Sequence, residues 1–255
     1  MAWMGVPEAA ERLGVSPQRV RQQIADGRLV ASRVGGRWLV DESAVQPFAD
    51  RRTSGRPLSY RSVWALISVA ALAEAEHRPA AEAPDPRWAE WLGRLSPTEQ
   101  SRARTRWTAL RDDVDRLDEQ RAATTLRRTL GPRASRLLLR AAEPDLPDLR
   151  ADPRVASSGV SQRRSGLASG DAVEGYVDQA AVDDLVNDFF LRSAPNPAVG
   201  PDSNVVLHVL GGPLPARPPV AAAIVLAADL AEHRSPREEA RAAVLLRATP
   251  RGGRR

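Results

Sequence analysis

"VPEAAERLGVSPQRVRQQIADGRLVASRVGGRWLVDESAVQPF", residues 6–48, is the stretch that decides the fold. Pro7 suits the first turn of a helix, where a missing N–H costs nothing, and Gly14 ends that helix. Ser16 and Pro17 then cap and begin a second helix. The sequence therefore predicts two short helices joined by a tight turn.

The second helix is followed at once by a hairpin. Val20 and Ile24 lie four residues apart and form the buried stripe of the helix. Residues 30–34 then read as extended chain, and residues 37–40 read as a returning strand. Gly35-Gly36 between them suits a tight turn, because glycine adopts a positive φ at no steric cost.

Two strands of four or five residues are not stable alone in water, so the hairpin must pack against the helices. Asp41 then caps a third predicted helix, with Ala44, Val45 and Phe48 facing inward. The order helix, turn, helix, hairpin, helix is that of a winged helix-turn-helix, in which the hairpin is the wing.

Three parts of this stretch carry a family resemblance: the turn "AAERLGVSPQRV", the helix end "I-x-x-G-R-L" and the wing "RVGGRWLV". They resemble the DNA-binding domains of excisionases and of MerR-like regulators. The chain departs from them at Arg21 and Gln23, where family members often carry aromatic residues. The resemblance therefore implies DNA binding but not a target sequence.

The residue types on the second helix suit DNA. If Val20 and Ile24 face inward, the outer face of the helix carries Gln18, Arg19, Arg21 and Gln22. Arginine reads guanine in DNA, and glutamine reads adenine. From Arg12 to Arg37 there are six arginines and one acid, Asp26, which gives 6 − 1 = +5. The predicted DNA-binding residues are Ser16, Gln18, Arg19, Arg21, Gln22, Arg28, Arg33, Gly35, Gly36 and Arg37.

Two features of the wing have separate interpretations. Arg33 and Arg37 flank the tip and are placed to straddle a minor groove or its phosphates. Trp38 is interpreted as a core residue, with stacking on DNA as the alternative. Helix-turn-helix shapes also serve as protein-binding or structural modules with solvated arginines, and that alternative stays open here.

The rest of the chain divides by composition. We predict a winged helix-turn-helix domain at 1–50, a basic linker at 51–61 and a helical region at 62–143 that offers a dimer surface. A small α/β domain at 144–248 and a disordered basic tail at 249–255 follow. The predicted fold class is mostly α with a small α/β part.

Within these regions we predict helices at 62–77, 87–95, 96–118 and, interrupted at Gly131-Pro132, at 126–142. Strands are predicted at 174–178 and 204–210, and helices at 179–187, 220–233 and 236–246. Trp88, Trp91 and Trp107 stand at helical spacing among leucines and read as core.

A second resemblance covers roughly residues 55–247. The segments "GRPLSYRSVWAL", "RADPRVASSGVS", "VEGYVDQAAVDDLV", "NVVLHVL" and "AADLAEHRSPREEARAAVLL" are similar to the C-terminal region of AbiEi-type antitoxins and of related actinobacterial proteins. That resemblance implies a repressor of its own operon that counters a nucleotidyltransferase toxin. This chain departs from the family in its excisionase-like N-terminal domain.

Signals for an enzyme are poor. HExxH, GxSxG, P-loop and GxGxxG motifs are absent from the sequence. His77, His208 and His233 are far apart in sequence and read as structural, and "SSGVSQRRSG" at 157–166 reads as a turn. We therefore predict no catalytic activity, no cofactor and no metal site.

Composition sets the remaining limits. All 37 basic residues are arginine, the net charge is +5 and the hydrophobic fraction is 42%, as in soluble globular proteins. The absence of cysteine excludes disulfides and zinc–cysteine sites and fits a reducing cytoplasm. Met1 leads into an amphipathic pattern without a signal peptide, and the longest apolar runs are shorter than the roughly 18 residues of a membrane span.

The sequence as a whole predicts a cytoplasmic, nucleoid-associated regulator that binds specific double-stranded DNA, acts as a repressor and is the antitoxin of a toxin–antitoxin operon. The expected partners are duplex DNA, a second copy of the chain and a nucleotidyltransferase-type toxin, with no membrane. The alternatives are an excisionase that bends DNA, an enzyme that uses the helix-turn-helix for targeting, and a protein-interaction adaptor.

Overall fold

The structure is a computed structural model, and it describes residues 3–13, 15–25, 31–34, 37–41, 58–77, 85–167, 170–193, 203–211 and 222–251. The chain divides into two compact units, Met1–Pro57 and Leu58–Arg255. The fold is mostly α with a small α/β part, which confirms the predicted class.

The first unit is built from two helices and a small antiparallel sheet. Its elements are β1 Trp3–Gly5, α1 Val6–Leu13, α2 Pro17–Ala25, β2 Ala31–Val34 and β3 Arg37–Asp41. The predicted helix after Asp41 lies outside the described residues.

The sheet has the order β1-β3-β2, and β1 is a strand that the sequence analysis did not predict. Met4 pairs with Val40, and Ala31 pairs with Val40 from the other side. The short hairpin is therefore extended by a third strand, which supplies the backbone hydrogen bonds that two strands lack.

A small core joins these elements. Ala9, Ala10 and Leu13 of α1 meet Val20 of α2 and Val40 of β3, and all five side chains are buried. The i, i+3, i+4 spacing on α1 and the alternation on β3 put these apolar residues on facing surfaces.

The second unit contains eight further α-helices among the described residues. They are α3 Tyr60–Ala75, α4 Pro86–Gly93, α5 Pro97–Arg116, α6 Glu119–Leu130, α7 Leu146–Ala151, α8 Val182–Asp188, α9 Ala223–Glu232 and α10 Pro236–Ala248. The predicted helix start at Ser96 is confirmed as a full capping box with Glu99. Trp88, Trp91 and Trp107 are buried, as predicted.

The same unit holds a mixed five-stranded sheet. Its strands are β4 Ser135–Arg140, β5 Ala156–Ser157, β6 Val173–Asp178, β7 Arg192–Ser193 and β8 Val205–Leu210, in the order β5-β6-β8-β4-β7. Only β6 and β8 run parallel among the described pairs.

The prediction of helix at residues 135–140 is wrong, because Ser135–Arg140 is the strand β4. This segment pairs with β8 along its length and with β7 at its end. Its three leucines suit a helix or a strand equally well, and pairing with distant segments decided the outcome.

The sheet lies between two apolar cores. One face, with Val173, Val177 and Leu207, packs on α7 and α8. The other face packs on the helices, whose core runs continuously from α3 to α10. The boundary predicted at residues 143 and 144 therefore divides one compact unit, since segments on both sides of it share this core.

The first three residues of the tail predicted as disordered, 249–251, are ordered in the structure. Thr249 is buried, and its carbonyl oxygen accepts a hydrogen bond from Arg111. Arg251 forms ion pairs with Asp112 and Asp115. Residues 252–255 lie outside the described residues.

Candidate nucleic-acid interface

The outer face of α2 is polar and exposed. Val20 is completely buried and Ile24 is half-buried, so the side of α2 that carries them faces the core. The predicted orientation of the helix is therefore observed. The exposed side chains on it are Gln18, Arg19, Arg21 and Gln22.

Ser16 begins α2 as its cap. The Ser16 hydroxyl oxygen accepts a hydrogen bond of 3.2 Å from the backbone N–H of Arg19. The hydroxyl proton is left to donate, so the residue keeps one group for a phosphate oxygen while it stabilises the helix start.

The two arginines of α2 are not paired with carboxylates of the described residues, whereas Arg12 of α1 is. Arg12 lies 3.6 Å from Glu8 on the same helix, with both side chains about half exposed. Arg19 donates a hydrogen bond of 2.9 Å to the neutral Gln22. Arg21 has neither an ion pair nor a side-chain hydrogen bond within the described part of the chain. The positive charge of α2 therefore stays available to an anionic partner.

The two strands of the predicted wing, β2 and β3, are present and pair in antiparallel orientation. Arg33 pairs with Trp38 and Val34 pairs with Arg37, which places both arginines next to the turn. Only the backbones of Arg33 and Arg37 belong to the described part of the structure. Gly35, Gly36 and Arg28, also predicted to contact DNA, lie outside the described residues.

Trp38 is exposed to 38%, so its interpretation as a core residue is wrong. Val40, two residues along the same strand, is completely buried. Residues i and i+2 lie on the same face of a strand. That face of β3 is therefore buried at Val40 and exposed to solvent at Trp38. The indole therefore belongs to the protruding part of the wing.

A second group of polar residues lies inside the Leu58–Arg255 unit, between the sheet and α9. Alternation on β6 and β8 turns three polar side chains toward the helices and the apolar side chains next to them toward the opposite core. We call this group the buried charge cluster; its members are Arg133, Glu174, Tyr176, His208, Asp229, Glu232 and His233.

Glu174 is the acceptor at one end of the cluster. Its two oxygens accept hydrogen bonds from His208 at 2.9 Å and from His233 at 2.8 Å. The backbone N–H of Val160 donates a third, at 2.8 Å. Gly159 lies against this carboxylate at φ +47°, where a Cβ atom would overlap the Glu174 oxygens.

Asp229 and Arg133 form the other end. The Arg133 guanidinium lies 2.6 Å from Asp229 and 2.6 Å from Glu232. Tyr176 donates a 2.8 Å hydrogen bond to Asp229, and Ser158 donates another. These bonds join β6, α9 and the turn after α6, so the cluster fixes α9 against the sheet.

The charges of the cluster are set by these contacts. Burial alone would raise the pKa of Glu174, but the hydrogen bonds from His208 and His233 hold it well below its usual range. Burial would lower the pKa of His233, but the bond and charge of Glu174 raise it. Both groups are therefore stabilised in their charged forms.

Sequence reasoning placed His208 and His233 far apart, and it missed that both bond Glu174. The available signal was a glutamate within "VEGYV" and a histidine within "VVLHVL", since charged residues are rarely buried without partners. No described group of three or more His, Asp or Glu residues is arranged to hold a metal ion. The described residues likewise include no helix with both the length and the apolar surface that a bilayer span requires.

Comparison with known proteins supports a helix-turn-helix in the first unit. Residues 3–53 match the family model described as a helix-turn-helix domain, which covers the two helices and the wing. Searches of the curated proteins and of the solved structures found no match. The match supports a DNA-binding helix-turn-helix in this chain, while the antitoxin resemblance of residues 55–247 receives no support.

The charged pair of Glu174 and His233 predicts a pH dependence of stability. His233 has a raised pKa, so its contribution is complete below about pH 6.5 and is lost as the pH rises through the folded value. Glu174 has a lowered pKa, so its contribution is present above about pH 4.3 and is lost as the pH falls through its folded value.

We expect His233→Leu to lower the free energy of unfolding at pH 6 by about 1.5–3 kcal/mol, the range for a hydrogen bond to a charged group. We also expect it to weaken the decline of that free energy above pH 6.5. Urea unfolding of both proteins from pH 6 to 9 measures this. His77→Leu is the control, since His77 is exposed after the end of α3 and its one side-chain bond within the described residues is to the carbonyl oxygen of Ala73. An unchanged decline in His233→Leu would contradict the assignment.

Proposed function

We propose that this protein is a sequence-specific regulator of transcription that binds double-stranded DNA through its first unit. In this proposal α2 lies in the major groove and the β2–β3 wing lies against the neighbouring backbone. The observation that carries it is the helix-turn-helix match over residues 3–53, whose second helix presents an exposed, basic and polar face.

The electrostatics of α2 support the same proposal. Its arginines are not neutralised by carboxylates of the described chain, and phosphate groups supply the missing counter-charge. One recognition helix makes few base contacts, so we propose that a homodimer or tandem sites provide the full specificity. The helices between residues 62 and 142 remain our proposed dimer surface.

Repression and the antitoxin role are a finer proposal that rests on the resemblance of residues 55–247 to AbiEi-type antitoxins. A neighbouring gene for a nucleotidyltransferase would favour that role. A neighbouring integrase gene would favour the excisionase alternative, although two hundred residues beyond the DNA-binding module are more than an excisionase needs. We propose no catalytic activity, because the sequence carries none of the HExxH, GxSxG, P-loop or GxGxxG motifs.

Replacing both arginines of the exposed face tests DNA binding. We expect Arg19→Ala with Arg21→Ala to weaken binding to a duplex selected from a random library by at least about tenfold. The slope of log K against log salt should decrease, by about 1 for each phosphate that an arginine no longer neutralises. Fluorescence anisotropy at several salt concentrations measures both quantities.

The matched control is Arg163→Ala with Arg237→Ala. Both are exposed arginines of the second unit that lie outside residues 62–142, so the net charge changes by the same amount outside both the first unit and the proposed dimer surface. This control should retain wild-type affinity and slope. A wild-type protein that shows no salt-dependent binding to any duplex would refute the proposed function.

Trp38 provides a non-ionic test of the wing. We expect Trp38→Ala to weaken duplex binding about fivefold, because about 1 kcal/mol of apolar burial would be removed, and to leave the salt slope unchanged. Val244→Ala is the control, since Val244 is another exposed apolar residue but lies in the second unit. Equal affinities of Trp38→Ala and wild type would place Trp38 outside the DNA interface.

A further inference from the structure

The positions around α2 give its outer residues different roles. An α-helix turns by about 100° per residue. Gln18 and Gln22 are each two residues from the buried Val20 and therefore lie nearly opposite the core. Arg19 and Arg21 are one residue from Val20 and lie on the two flanks of the helix.

One flanking arginine is drawn onto the outer face. Arg19 Nη1 donates a hydrogen bond of 2.9 Å to Gln22 Oε1, one helical turn away. A guanidinium can only donate, so its partner must be the carbonyl oxygen of the glutamine amide. The hydrogen bond therefore fixes which end of the Gln22 amide faces Arg19.

This hydrogen bond occupies part of the group with which Gln22 would read adenine. A glutamine reads adenine with both ends of its amide, the oxygen accepting from N6 and the nitrogen donating to N7. In the pair one of the two lone pairs of the Gln22 oxygen already accepts from Arg19, so one is left for a base. The Gln22 NH₂ and the free N–H groups of Arg19 are all donors, and the pair therefore offers a base several donors beside a single acceptor site.

Guanine is the base that matches such a surface. It presents two acceptors, O6 and N7, at its major-groove edge, whereas adenine presents one acceptor beside a donor. A pair dominated by donors therefore favours guanine, and it disfavours adenine because the N–H groups of Arg19 would face the donating amino group of that base.

We infer that Arg19 and Gln22 act as one guanine-reading unit, and that Arg21 on the opposite flank contacts a phosphate. This inference rests on the proposed DNA-binding function and adds to it the chemical class of the target base. The hydrogen bond within the pair holds the Arg19 side chain in place before DNA binds, which reduces the ordering that binding would otherwise require.

The experiment is a selection of duplexes from a random library by the full chain and its variants. The wild type should select guanine at one position, and adenine there should weaken binding roughly 5- to 150-fold, the range for one bidentate contact. Arg19→Ala frees the Gln22 oxygen, so the preference at that position should move from guanine toward adenine. Arg19→Ala with Gln22→Ala should show no preference there.

Arg21→Ala is the matched single-arginine control. It should retain the guanine preference, weaken binding to all sequences alike and lower the salt slope by about 1. Arg19, Arg21 and Gln22 are all exposed, and equal melting temperatures of the variants and wild type will show that folding is unaffected.

Two results would overturn the inference while leaving the proposed function intact. The first is a wild type that binds duplexes and selects adenine, or no base, at the position affected by Arg19→Ala. The second is an Arg19→Ala variant that keeps the full guanine preference. A wild type that binds no duplex at all would instead overturn the proposed function.

Discussion

The burial of Val20 sets the rotation of α2, and the proposed DNA-binding face depends on that rotation. Val20 contacts the core formed by α1 and β3, and its side chain is completely buried. A helix whose rotation is fixed at one residue has all its other side chains fixed in direction. Gln18 and Gln22 face outward for this reason, and so a single valine links the packing of the small core to the chemistry of the surface.

The second unit depends on a different constraint, the neutralisation of buried charge. Glu174, Asp229 and Arg133 are each almost completely buried, and isolated charges at such positions would cost several kcal/mol. Their hydrogen bonds with one another and with Tyr176 and His208 remove that cost only when β6, β8 and α9 are in place together. The cluster therefore favours one arrangement of sheet and helices over others that the apolar surfaces alone would allow.

The parts of the fold that the sequence predicted are those with local signals. Pro17 after Ser16 and the capping box at Ser96 act over three or four residues, and the helices they begin are where they were predicted. The strand β4 and the added strand β1 were missed because both form by pairing with segments far away in sequence. The exposure of Trp38 was missed because alternation along β3 predicts which face of the strand carries the indole but not how far the core extends along that face.

The arginines show why residue type alone could not identify the candidate site. Arg133 is held by two carboxylates and contributes to the structure of the second unit, where its charge is neutralised. Arg19 bonds a neutral amide, and its charge is retained at the surface. The two arginines contribute equally to the net charge of the chain, but the charge of Arg133 is neutralised within the fold and that of Arg19 is available to a partner. A net charge of +5 therefore says little about nucleic-acid binding by itself, because binding depends on which arginines the fold leaves without a carboxylate.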